Sequence, residues 1–185
     1  MSAKPLAAAV GAPRSTAELE AGVAHIEASP REAGTVQMIV RRPQRDEREV
    51  LELARLDPDH GLVGDRWVNG AKPQRDEQLT LMSSRVIDLL AGDRALWPLA
   101  GDQLFVDFDL SCENLPAGTR LALGEAVIEV SPVPHTGCKK FRARFGLDAM
   151  RFVGSPRGKT LQMRGINARI VSAGDVRTGD KILKL

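Results

Sequence analysis

The stretch PHTGCKKF, residues 134–141, puts the thiol of Cys138 three residues after His135 and directly before Lys139 and Lys140. Thiolate is the reactive and metal-binding form of cysteine, and Arg142 and Arg144 extend the cationic surround. Three roles are open to such a residue: ligation of a soft metal, reactive thiol chemistry, or none, since free cysteine is often simply buried. His135 faces the same site if the chain turns at Gly137. With His60 and Cys112 a composite zinc site can be drawn, yet neither half carries the Cys-x-x-Cys or His-x-x-x-His chelate such sites use.

Two further polar stretches stand between apolar runs. In DPDHGLVGDRW, Gly61 and Gly64 mark a tight turn, and Asp65 reads as a cap on local amides. In SCENLPAG, Glu113 and Asn114 are able to bond backbone amides or a ligand. Gly174-Asp175 and Gly179-Asp180 read as hairpin or turn pairs. No Gly-x-Gly-x-x-Gly, P-loop, Gly-x-Ser-x-Gly or His-Glu-x-x-His pattern occurs, so dinucleotide binding, nucleoside-triphosphate binding and the corresponding hydrolases find no support.

The elements that must position these residues are mostly strands. TVQMIVRRP, REVLELARLD, QLTLM, QLFVDFDL, RLALG, AVIEVSPV, GINARIVSAG and KILKL are short runs of β-branched and apolar residues divided by turn signals. Many short strands with brief turns predict a barrel or sandwich. SSRVIDLLAG, capped by Ser83 or Ser84, and LDAMRFVGSP, closed by Gly154 and Pro156, are predicted helices. Residues 1–14, rich in Ala, Gly and Pro, read as a disordered leader. Residues 15–33 read as a helical extension, with Ser15 and Thr16 as caps, Leu19, Val23 and Ile26 at helical spacing and His25 on its surface.

A chain of 185 residues suits one domain with an extension and buries roughly two-thirds of its unfolded surface without metal or disulfide staples. Its formal charge of +2, with both signs interleaved, gives no argument for an extended nucleic-acid surface, although it leaves room for a local basic pocket. Two cysteines, no strong signal-peptide layout and no apolar run near the ~18 residues of a membrane span lead to the expectation of a soluble, cytoplasmic protein with free thiols.

Taken in order, GLVGDRW, QLTLMSS, LAGDQLFVDFDLSCENLPAGTRLALGEAVIEVS, PHTGCKKF and GINARIVSAGDVRTGDKI resemble the MOSC domain, found at the carboxy terminus of molybdenum cofactor sulfurases and as small stand-alone bacterial proteins. The resemblance implies a mainly β fold, a β-barrel with a few peripheral helices, over residues 34–185. It implies a family cysteine at Cys138, which ligates molybdenum of the molybdopterin cofactor or carries sulfur as a persulfide, and reduction of N-hydroxylated compounds by some members. Glu113 and Asn114 fall on the family's Glu-Asn-Leu motif, Gly64 and Asp65 on its Gly-Asp turn, and Cys112 where many members have glycine. His135, Lys140 and Arg164 are the expected pterin or phosphate contacts. The implied partners are the pterin or a small-molecule substrate, with a redox or sulfurtransferase protein; nucleic acid polymers and membranes are not expected.

Overall fold

The computed structural model describes residues 12–70 and 73–185. Of the expected leader, residues 1–11 lie outside the described residues. The strands are β1 (Ala33–Arg41), β2 (Glu49–Leu51), β3 (Leu53–Asp57), β4 (Gly61–Leu62), β5 (Leu79–Ser83), β6 (Leu104–Asp107), β7 (Arg120–Leu123), β8 (Ala126–Val130), β9 (Ile166–Ser172), β10 (Gly174–Arg177) and β11 (Lys181–Lys184). Seven of them close a barrel in the order β1-β11-β7-β8-β9-β5-β6 and back to β1, with β2 paired to the far end of β1. Closure leaves these seven strands no free edge, and the expected mainly β barrel with a few helices is what the chain forms.

Every barrel pair is antiparallel except β5 with β6. A parallel pair needs a crossover, supplied here by α3 (Ser84–Ala91) and the 3-10 segment Arg94–Ala100. Helix α3 stops where Gly92 takes a left-handed backbone (φ 69°). Ser83 stands at its N-cap position without capping it by its side chain.

Alternation builds the core. In β8 the inward residues Ala126, Ile128 and Val130 are buried while Val127 and Glu129 are half exposed, and the three buried ones share one core cluster with Leu81, Leu104, Val106, Leu121 and Ile182 of other barrel strands. A second apolar cluster lies outside the barrel, where Met38, Val40, Met82 and Phe105 meet the helices. There α1 (Thr16–Ala21) and α2 (Val23–Glu27) contribute Leu19, Val23 and Ile26, each burial favouring docking by roughly 1.5–3 kcal/mol. Ser15 and Glu18 form a reciprocal capping box at the start of α1.

Three local readings change. REVLELARLD is two strands, β2 on the barrel and β3 in a small sheet β10-β3-β4. Gly174 and Asp175 lie in strand β10 rather than in a turn, and Gly174 is needed there because a Cβ would sit 2.2 Å from the Glu125 carbonyl carbon. The second helix starts much earlier: α4 (Lys139–Gly154) bends at Gly146 (φ 91°), and Pro156 opens α5 (Pro156–Thr160) with Ser155 as its cap.

Candidate functional site

The segment after β8 lines a cavity of about 420 Å³ with Pro134, His135 and Thr136. Pro134, His135 and Thr136 form one wall; Arg42, from the end of β1, and Arg66 and Trp67, from the turn after β4, form another. Thr80 of β5 and Asn167 of β9 close its base, and the Asn167 amide donates to the Val133 carbonyl at 3.1 Å, tying the loop to the barrel.

Asp65 fixes the arginine wall. Its fully buried carboxylate accepts from Arg42 Nε at 2.9 Å, Arg42 Nη2 at 3.0 Å and the amides of Arg42 and Trp67 at 2.9 and 3.0 Å. The remaining Arg42 Nη1 donates to the Gly101 carbonyl at 3.0 Å. Asp65 caps its local turn as its position in the sequence suggested, and it also anchors a cation 23 residues away. Arg66, by contrast, is exposed and makes no ion pair among the described residues.

Behind the opposite wall lies a buried polar trio. Asp102, fully buried, accepts from Arg164 Nη1 at 2.8 Å, and its second oxygen stands 3.3 Å from His135 Nδ1, outside good hydrogen-bond geometry. Burial pushes the His135 pKa from 6.5 down to about 4; Asp102 pulls it upward, and Arg164 and Arg42 push it further down. His135 is therefore a neutral imidazole at neutral pH. Arg164 donates its other nitrogen to the Ala100 carbonyl at 3.2 Å and stacks on Phe141 at 4.8 Å, so its charge orients Asp102. Gly165 (φ 103°) lets the chain pass this trio: a Cβ there would lie 2.3 Å from the Leu81 carbonyl oxygen and 3.2 Å from His135 Nδ1.

Cys138 is exposed at the start of α4, two residues beyond cavity-lining Thr136, and Cys112 is exposed as well, with its thiol 3.6 Å from the Lys159 carbonyl. Neither thiol is a core-packing residue. Lys140 turns to Asp46 in the β1–β2 loop, and Arg144 stands 3.5 Å from the same carboxylate while donating to the Leu99 carbonyl at 2.7 Å. The structure thus brings His135 and Arg164 together through Asp102. Glu113 and Asn114 sit elsewhere, in a second cavity of about 550 Å³ that shares no lining residue with the first. Glu113 pairs with Arg31 at 3.0 Å; buried Asn114 donates to the carbonyls of Arg31 and Asp109 and accepts from Lys184 Nζ at 2.9 Å.

Sequence reasoning missed Asp102 and Arg42, which carry no motif of their own. Among the described residues, no three His, Cys, Asp or Glu side chains converge on a metal position, so the zinc arrangement does not form. The cavity's residues do fit an anionic, hydrogen-bonding ligand. Its lining carries one fixed and one free guanidinium beside the carboxylate of Glu77, and His135 Nδ1 is buried without a hydrogen-bond partner.

No family model matches the chain, and no curated protein matches its sequence. Solved structures do share its fold. A protein described as hypothetical is 20% identical with a TM-score of 0.60, the likeness covering 83% of this chain and 68% of that one. YiiM from Escherichia coli is 19% identical with a TM-score of 0.57 over 82% of this chain and 69% of its own. YuaD from Bacillus subtilis is 16% identical with a TM-score of 0.55 over 81% of this chain and 94% of its own. Among the described residues, no helix is long and apolar enough to cross a membrane.

Proposed function

We propose, from the MOSC-type fold that this chain shares with YiiM and YuaD, that the cavity beside His135 receives the phosphate-bearing pterin of a molybdenum cofactor and that Cys138 is the protein's ligand to the metal. The observation that carries the reading is where the cysteine loop runs: His135 and Thr136 line a cavity that Arg42 and Arg66 line as well. When bound, the group supplies two-electron redox chemistry at the N–O bond of an N-hydroxylated substrate.

The chain's own residues do the holding. Guanidinium groups recognise phosphate through paired donors, and Asp65 presents Arg42 in one fixed orientation while Arg66 stays free to close on the ligand. His135, neutral and backed by Asp102, adds a hydrogen-bonding edge without adding charge. Reduction of an N-hydroxyl group to the amine breaks the N–O bond, takes two electrons and two protons and releases water. A redox partner protein is the electron source in this reading.

The test is elemental analysis of protein purified from a host that makes the cofactor. About one molybdenum per chain is expected for the wild type, bound through one protein thiolate, and little for Cys138→Ser. Metal-free wild-type protein that takes up none on reconstitution refutes the reading. The exposure of Cys138 favours a second role, carriage of sulfur as a persulfide accepted from a sulfurtransferase. Intact mass then shows one added sulfur on the wild type and none on Cys138→Ser.

A further inference from the structure

The loop between β1 and β2 carries a carboxylate into the middle of a cation cluster. Asp46, at φ 66°, has the left-handed backbone that few residues other than Gly, Asn and Asp adopt readily. It pairs with Lys140, stands 3.5 Å from Arg144, and lies 3.8 Å from Arg45 of its own loop. The Lys140 ammonium, hydrogen-bonded to it, and then the charges of Arg144 and Arg45 hold the Asp46 carboxyl below its usual range.

Among the described residues Arg48 has only carbonyl partners, Pro98 at 3.3 Å and Glu47 at 2.5 Å. Burial first, then repulsion from Arg144, Arg42 and Arg66, pushes its pKa down to about 10, with Asp46 acting in the opposite direction. The cluster therefore contains Arg42, Arg48, Arg66, Arg144 and Lys140. Asp65 is committed to Arg42, and Asp46 is the counter-ion for Lys140 and Arg144. Two of the five, Arg42 and Arg66, are the wall of the cavity described above.

We propose that Asp46 is a built-in competitor for the anion this cluster binds: a phosphate-class group displaces the Asp46 carboxylate from Lys140 and Arg144, and the loop tip moves away. The proposal rests on the reading of the site as one that takes a phosphate-bearing ligand. Phosphate carries more charge and more acceptor oxygens than one exposed carboxylate, so the exchange gains charge-assisted hydrogen bonds. Both ends of the loop are anchored, at Arg42 by Asp65 and at Arg48 by the Pro98 carbonyl, which confines the movement to the residues between them.

The experiment is calorimetric titration of the purified, metal-free full chain with pyrophosphate at low salt. Asp46→Asn removes the charge and keeps a side chain that tolerates the left-handed backbone, and an unchanged melting temperature checks that the loop is not damaged. It should bind on the order of fivefold tighter than the wild type, the effect of one nearby charge in a wet site, and the gain should fade at high salt. Arg144→Gln should weaken binding. Glu27→Gln, the same charge change at a carboxylate paired with Arg157 instead, should leave it unaltered. Equal binding by wild type and Asp46→Asn overturns the competitor while leaving the anion site standing. No binding by either overturns both.

Discussion

Replacing Asp65 by alanine removes the acceptor for three Arg42 nitrogens and the Trp67 amide at once. Asp65 is 1% exposed and the Arg42 side chain 14%, so water cannot easily take over the four bonds. Removing one partner of such a buried pair costs about 3–5 kcal/mol, chiefly because the other charge stays buried. For a chain of this size each kcal/mol lowers the melting temperature by roughly 2–4 °C, so Asp65→Ala should melt about 6–20 °C below the wild type. The same wall forms the cavity, so pyrophosphate binding should weaken in parallel. Thermal and urea unfolding of wild type, Asp65→Ala, Arg42→Met and the double variant form the cycle that isolates the pair. The double variant should recover a large part of the loss, because it leaves no stranded charge. A single variant within about 1 kcal/mol of wild type, or strictly additive losses in the double, would refute the clamp, since contacting partners couple by about 0.5–3 kcal/mol.

Two further outcomes follow from the same region. His135 is held neutral down to about pH 4 when folded, whereas its unfolded value is 6.5. The unfolded chain therefore binds this proton first; the contribution is fully present above pH 6.5 and is lost as pH falls toward 4, a loss of about 3 kcal/mol. Unfolding free energy measured from pH 7 to 4 should fall less steeply in His135→Gln, and equal slopes would contradict the burial argument. Gly165→Ala forces a Cβ against the Leu81 carbonyl oxygen from a backbone only glycine adopts freely, whereas Gly137→Ala meets the flexible end of Met150. Melting curves should place Gly165→Ala well below Gly137→Ala, and the reverse order would show that the approach at Gly165 relaxes.

The barrel was legible because its strands announce themselves locally, by alternation and by turn residues between runs. Where the local signal was weak, the reading slipped. Phe141 and Phe145, four residues apart and both buried, define the first half of α4, yet the four cations around them make KKFRAR look like a solvated loop. Glu52 sits inside an apolar run with no turn signal, so the step from β2 on the barrel to β3 on another sheet leaves no mark. His135 and Cys138 stood out by residue type. Asp102 did not, because nothing in AGDQLF separates a buried anion from a loop residue, and its partner Arg164 is 62 positions away.

The charge pattern was hidden by averaging, and this bears on what the site does. A formal charge of +2 with interleaved signs describes a chain without an electrostatic preference. Folding sorts those charges by space instead of by position, gathering Arg42, Arg48 and Arg66 from the strands and turns and Lys140 and Arg144 from α4 into one region where Asp65 pairs with Arg42 and Asp46 with Lys140 and Arg144. Elsewhere arginines pair with acids, as Arg31 with Glu113 and Asp109, Arg85 with Asp107 and Arg157 with Glu27, and their fields cancel. A cationic pocket on an otherwise balanced surface focuses the potential where an anion must enter. Anion binding should therefore depend steeply on ionic strength although the net charge of the chain is small, a dependence that charge composition alone would never suggest.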